Sequence, residues 1–86
     1  MIRNYTLDDV NSQGELVSDS GIEYSLVEGF AFPNGQYTSD IVFIIDYTNK
    51  PSGILVGWVY GANNPDIMET ISEIINNYEQ TGKRMI

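Results

Sequence analysis

The sequence predicts an α+β fold: a three- to four-stranded antiparallel sheet, arranged as a meander, with a C-terminal amphipathic helix packed on one face. Three observations support this prediction. Apolar residues near the C-terminal end recur at helical spacing, three earlier segments alternate as strands do, and turn residues separate the segments. With 86 residues the chain has room for one domain, predicted over residues 1–86.

The first twenty residues match no single pattern. Residues 2–5 are compatible with a short edge strand. Thr6 would then cap a short helix near residues 7–11, since Asp8 and Asp9 in its first turn complement the helix dipole. The segment 12–14 contains Gly14 and would end that helix.

Three strands are predicted, at residues 22–32, 36–47 and 54–60. Glu28 interrupts the apolar face of the first strand, so Glu28-Gly29 is interpreted as a bulge that resets the register. Turn residues at 33–35 and 49–53 connect the strands. Alternation in the third strand sets one group of side chains, Ile54, Val56, Trp58 and Tyr60, against Leu55, Gly57 and Val59.

A helix is predicted near residues 65–80. Its apolar face is formed by residues at the i, i+4, i+7, i+8 and i+11 positions, namely Ile67, Ile71, Ile74, Ile75 and Tyr78. Asn64 suits the N-cap, Pro65 suits the first helical position, and Gly82 suits a left-handed stop.

Both faces of the second and third strands are expected to pack against other parts of a structure, because residues 41–45 and 54–56 are apolar on both faces. One helix covers only one face. The face with Gly57 would allow close approach of the helix, whereas the opposite face is rich in aromatic residues, and the sequence leaves this choice open. The other face is expected to meet the N-terminal segment, a second copy in a homodimer, or a partner.

The chain is strongly acidic, with 12 Asp and Glu against 4 Lys and Arg and a net charge of −8. Phosphate backbones and anionic lipids repel such a chain, so neither direct nucleic-acid binding nor membrane binding is expected. A basic protein surface would attract it. The alternative interpretation is that the charge only keeps a small protein soluble.

The composition argues against catalysis, since there is neither cysteine nor histidine to serve as nucleophile, general base or metal ligand. We therefore expect no enzyme activity, no cofactor and no metal. Two alternatives remain: a carboxylate pair among Glu28, Asp40 and Asp46, or oxygen ligands from Asp8, Asp9 and Asp19. Without an export signal or a spanning segment, the expected location is the cytoplasm.

Two groups of residues are candidates for partner binding. The first is an acidic stripe opposite the isoleucines of the helix, Asp66, Glu69 and Glu73, where no Lys or Arg follows at i+3 or i+4. The stripe would imitate phosphates, with Asp40 and Asp46 as further acidic groups, or it is simply a solvated face. The second group is Trp58 and Tyr60, which would serve either as interface anchors or as residues of the hydrophobic core.

In size and composition alone, the chain resembles phage- and mobile-element-encoded inhibitors, including anti-CRISPR proteins and other DNA mimics. That resemblance transfers no residue role. It implies an inhibitor that occludes the basic nucleic-acid-binding surface of a bacterial defence or DNA-processing enzyme. The alternatives are an immunity protein that neutralises a basic toxin, and a small ligand-binding or sensing module.

Overall fold

The computed structural model describes residues 3–31, 37–49, 53–61 and 64–83. It contains one antiparallel sheet and a C-terminal helix packed against it, which confirms the predicted α+β meander. The strands follow each other in the sheet in chain order. They are β1 (Glu15–Val17), β2 (Glu23–Ala31), β3 (Tyr37–Asp46) and β4 (Ile54–Tyr60), and the helix is α1 (Ile67–Thr81).

The N-terminal region differs most from the prediction. Residues 3–6 belong to no strand, so the predicted edge strand at 2–5 is wrong for the part that the structure describes. A 3₁₀ helix at Leu7–Asp9 replaces the predicted helix at 7–11, and the main-chain N–H of Thr6 donates to Asp9 Oδ2 at 2.8 Å. The unpredicted strand β1 is three residues long, which is too short to show a periodic pattern.

Two irregularities shift the register of the sheet. Glu28 faces Val42 but Phe30 faces Thr38, so residues 39–41 of β3 lie opposite Gly29 alone. This confirms the reset predicted at Glu28-Gly29, although the extra residues belong to β3. In the second irregularity, Ile44 faces Gly57 and Ile45 faces Leu55, which leaves Val56 as an extra residue in β4.

The bulge at Val56 corrects the predicted alternation of β4. Val56 and Val59 both belong to the core beneath α1, whereas Trp58 and Tyr60 are exposed. One extra residue moves all later side chains of a strand to the opposite faces. The side chains of Trp58 and Val56 therefore project from opposite faces of the sheet, and not from one face as the alternation predicts.

Helix α1 covers the face of the sheet that contains Gly57, since the partner of Gly57, Ile44, is fully buried in the core. The N-terminal segment lies on the same side, because Tyr5 is part of that core. On the far face, Ile41 and Phe43 are 2% and 6% exposed within the chain itself. The buried cluster beneath the helix consists of Tyr5, Leu16, Tyr24, Val42, Ile44, Val56, Val59, Met68, Ile71, Ile74 and Ile75.

The ends of α1 are set by local hydrogen bonds. The helix begins two residues later than predicted, with Asp66 rather than Asn64 at the N-cap. Asn64 stabilises the preceding turn, where its Oδ1 accepts from the N–H of Asp66 at 2.9 Å. The predicted left-handed stop is confirmed at Gly82, which has φ 71° and donates its N–H to Tyr78 O at 2.7 Å.

Two polar side chains of α1 attach the N-terminal segment to the helix. The hydroxyl of Ser72 is buried, accepts from the N–H of Tyr5 at 2.8 Å and donates to Met68 O at 2.7 Å. One turn later, the Asn76 amide donates to Arg3 O at 2.7 Å and accepts from Arg3 N–H at 3.3 Å. Residues 3–5 therefore pair with side chains of the helix instead of with the sheet.

Replacement of Ser72 by alanine should destabilise the fold by about 1–3 kcal/mol, because it leaves the buried N–H of Tyr5 without an acceptor. Urea unfolding of S72A and wild type measures this difference. The matched control is T81A, which removes an exposed hydroxyl that bonds to Asn77 O on the same helix. T81A should stay within about 0.5 kcal/mol of wild type. Equal losses in both variants would contradict the role of Ser72.

Candidate functional site

The acidic stripe lies on the solvent side of α1. Asp66, Glu69 and Glu73 are all exposed, because Ile71, Ile75 and their neighbours bury the opposite face of the helix. At about 1.5 Å of rise per residue, the stripe places its three charges roughly 5 Å apart along the helix axis. One strand of B-DNA carries a phosphate about every 3.4 Å along its axis. The charges of the stripe are therefore spaced somewhat more widely along the axis than the phosphates of a DNA strand, but the two spacings are comparable.

Cations do not neutralise the stripe within the described part of the chain. The ion pairs there both belong to Arg3, which contacts Asp9 at 3.6 Å and Asp19 at 3.0 Å. Arg3 also lies over the ring of Tyr5, 4.7 Å from its centroid. The single described arginine is thus held near the N-terminal segment and forms no ion pair with Glu69 or Glu73.

Exposed apolar side chains concentrate on β4. Tyr60 is 71% exposed, Ile54 is 40% exposed and Trp58 is 38% exposed. The ring of Trp58 packs on its cross-strand neighbour Phe43 with the centroids 6.4 Å apart. Trp58 is therefore fixed on one side by the sheet and open on the other, which is the usual situation of an aromatic interface anchor.

An open groove between β4 and α1 is lined by one residue of the acidic stripe and by both aromatic candidates. Its volume is about 530 Å³, and its lining comprises Trp58, Val59 and Tyr60 from β4 and Thr70, Glu73, Ile74 and Asn77 from α1. Separate sequence patterns singled out Glu73 and the two aromatic residues. All three residues line this groove, although the side chains of Trp58 and Tyr60 project from the face of the sheet opposite α1.

A second open groove lies at the start of α1. Asp66 and Glu69 line it together with Asp8 from the 3₁₀ helix and with Leu7, which is 72% exposed. Two of the three stripe residues therefore have a further carboxylate and an exposed apolar side chain beside them. The acidic character extends from Glu73 along the helix to the N-terminal segment.

The two acidic strand residues have different environments. Asp40 is exposed, and its carbonyl accepts from the N–H of Gly61 at 2.8 Å, so it lies at the end of β4 near Tyr60. Asp46 is only 9% exposed, and its carboxylate accepts from Thr48 N–H at 2.9 Å and from the Tyr78 hydroxyl at 2.8 Å. The carboxylate of Asp46 is thus engaged inside the domain, away from the stripe.

Burial and hydrogen bonds act in opposite directions on the pKa of Asp46. Burial alone would raise it, but the N–H and hydroxyl of Thr48 and the hydroxyl of Tyr78 outweigh that effect and hold the pKa below its ordinary value of 3.8. The carboxylate therefore stays charged at neutral pH and serves as an acceptor that joins β3 to α1.

A second internal carboxylate was missed by the sequence analysis. The hydroxyl of Tyr24 on β2 donates to Glu79 Oε2 on α1 at 2.7 Å, and its ring meets that of Tyr78 edge-on at 6.3 Å. Burial first, and then the Glu79 carboxylate, raise the pKa of Tyr24 far above its ordinary value. No local pattern marks Glu79, because its partner is 55 residues away in the chain.

The described residues form no cluster of three or more acidic side chains that would hold a metal ion. In the same part of the chain, no helix is both long and apolar enough to cross a membrane. Comparison with protein-family models, curated proteins and solved structures gives no significant match. The site itself is therefore the basis for a functional proposal.

The charge of Asp46 gives a testable pH dependence. Because its pKa is lowered in the folded state, its contribution to stability is present above about pH 4 and is lost as the pH falls through the folded-state pKa. At pH 7, D46N should lower the free energy of unfolding by about 1.5–3 kcal/mol, the range for hydrogen bonds to charged groups. The difference from wild type should shrink below pH 4. Urea unfolding between pH 2.5 and 7 measures both effects.

The control for this prediction is E69Q, which neutralises an exposed carboxylate on α1. It should change stability by less than about 0.5 kcal/mol at any pH in that range. A D46N protein as stable as wild type at pH 7 would contradict the assigned role of Asp46.

Proposed function

We propose that this protein is a non-catalytic inhibitor that binds a basic, nucleic-acid-binding surface on a bacterial defence or DNA-processing enzyme. The observation that carries the proposal is the combined surface of α1 and β4. The exposed stripe of α1 forms no ion pair with a described cation, and its Glu73 lines the same groove as the exposed residues Trp58 and Tyr60 of β4. We place this activity in the cytoplasm, where such enzymes act.

The carboxylates would attract the basic surface of the partner and compete with nucleic acid for it. A net charge of −8 accelerates encounter with a basic surface. Glu69 and Glu73 project from α1 and Asp66 from its N-cap, at a spacing comparable to that of phosphates, so they would occupy cationic side chains that otherwise bind a nucleic-acid backbone. Asp40, near the end of β4, is a further candidate contact, whereas Asp46 is left out because it is engaged internally.

The aromatic residues would account for affinity. Exposed charge pairs contribute little net binding energy, whereas buried aromatic anchors often dominate an interface. Trp58 and Tyr60 together offer a stiff apolar centre, and the stripe supplies a charged rim. An apolar core with a polar rim is the common composition of protein interfaces.

The proposal predicts different effects for two equal charge reversals. E73K and E28K each change the net charge from −8 to −6, but Glu73 lines the groove and Glu28 is exposed on β2. With a partner captured from bacterial lysate on immobilised wild-type protein, E73K should weaken binding at least about tenfold, equivalent to about 1.4 kcal/mol. E28K should weaken it less than about threefold. Titration calorimetry with the purified partner measures both.

Inhibition is tested on the same partner. One equivalent of wild-type protein should displace nucleic acid from it in a gel-shift assay, and E73K should displace less. A partner that keeps its nucleic acid when saturated with the protein would contradict the proposal. So would equal effects of E73K and E28K on affinity.

A further inference from the structure

The two edges of the sheet are not equivalent. The outer edge of β1 is covered, because Val10 bridges Leu16 and the N–H of Asn11 donates to Glu15 O at 2.9 Å. The side-chain Oδ1 of Asn11 also accepts from the N–H of Glu15 at 3.0 Å. Within the described ranges, no strand pairs with the outer edge of β4. As far as the described residues show, the β4 edge is therefore the open edge of the sheet.

The ladder between β3 and β4 shows which main-chain groups face this open edge. The N–H of Gly61 donates to Asp40 O at 2.8 Å, and these two residues lie opposite each other, next to the pair Ile41–Tyr60. Hydrogen-bonded and non-hydrogen-bonded pairs alternate in an antiparallel ladder. The pairs Ile41–Tyr60 and Phe43–Trp58 are therefore non-hydrogen-bonded pairs. The main-chain N–H and C=O groups of Tyr60 and Trp58 consequently point away from β3, toward the open edge.

The second half of β4 also lacks the usual protection of an edge strand. The sequence of the strand, ILVGWVY, contains no lysine, no proline and no charged residue. The bulge at Val56 lies in its first half, so residues 57–60 continue in regular register with β3. The most exposed apolar side chain of the strand, Tyr60, lies in this regular half.

The charges beside the edge determine what kind of strand would fit. In an added strand, residues opposite Trp58 and Tyr60 would share the face of those rings, and the residue between them, opposite Val59, would point toward α1. There it would meet Glu73 and the polar side chains of Thr70 and Asn77, which line the groove with Val59. A basic side chain complements Glu73 at this position, and apolar side chains complement the two rings.

A second copy of the chain suits this edge poorly. Pairing of two β4 strands about a two-fold axis normal to the sheet would place both α1 helices on the same face, with their Glu73 sides toward each other. Each copy carries a net charge of −8, so this arrangement is opposed by like-charge repulsion.

From these observations, we propose that β4 binds an extended segment of the partner, with alternating apolar and basic residues, as an added strand of the sheet. The inference rests on the proposed function and specifies how the partner is held. Main-chain hydrogen bonds to Trp58 and Tyr60 would supply binding energy, and the alternation would supply specificity.

The test uses the full chain and a synthetic probe, an eight-residue acetylated peptide amide that alternates valine and lysine. Hydrogen exchange of the Trp58 and Tyr60 amides is followed by NMR with and without the peptide. Both amides should exchange rapidly in the free protein and at least about tenfold more slowly at saturation. A peptide that alternates valine and glutamate should leave both amides unchanged.

Two lysine substitutions provide matched variants. Y60K introduces a positive charge at the open edge, whereas V17K introduces one at an exposed apolar position of β1, at the other side of the sheet. Both positions are exposed, 71% at Tyr60 and 58% at Val17, so both variants should fold. Y60K should weaken peptide binding at least about tenfold, and V17K should change it less than about threefold.

Three results would overturn the added strand. One is the absence of peptide binding by wild type. Another is binding that shifts the NMR signals of α1 around Glu73 but leaves the Trp58 and Tyr60 amides unprotected. This result would show a contact made by charge alone, so the proposed function would still stand. The last is protection of both amides in the free protein that disappears on dilution, since a second copy would then occupy the edge.

Discussion

The burial of the isoleucine face of α1 against β3 and β4 is the constraint on which the candidate site depends. Ile71 and Ile75 are 2% and 1% exposed, and they contact a sheet face whose central residue, Ile44, is fully buried. This contact fixes the rotation of the helix about its axis. With 3.6 residues per turn, that rotation sends Asp66, Glu69 and Glu73 to solvent. It also brings Glu73 beside the edge strand that bears Trp58 and Tyr60.

Polar contacts along α1 reinforce this rotation. Ser72 and Asn76 bind the N-terminal segment, and Tyr78 and Glu79 bind Asp46 and Tyr24 of the sheet. Two groups of acidic residues near α1 consequently have different environments. Asp46 and Glu79 accept hydrogen bonds within the domain, whereas the stripe residues are exposed and form no ion pair with a described cation. Net charge alone does not distinguish the two groups; the hydrogen bonds do.

Local patterns in the sequence predicted most of the fold. The long strands and the helix have clear periodicity, and Gly82 stops the helix where its left-handed conformation is needed. The features that the sequence did not predict have physical causes. Strand β1 is too short to show a periodic pattern, and the bulge at Val56 depends on pairing with β3 rather than on local sequence. Among the candidate site residues, helical spacing placed the stripe correctly on the exposed face. The internal role of Asp46 arises from Tyr78, 32 residues away, and no local signal reveals such a contact.

The central claim is that the exposed carboxylates of α1 attract a positively charged macromolecule. The salt dependence of the affinity for the captured partner tests this claim most directly, with wild type compared to the neutral double variant E69Q/E73Q. Between about 50 and 200 mM salt the wild-type affinity should fall steeply, because screening weakens attraction between exposed charges, and the double variant should show a shallower dependence. An affinity that does not change with salt, or equal slopes for the two proteins, would contradict the claim.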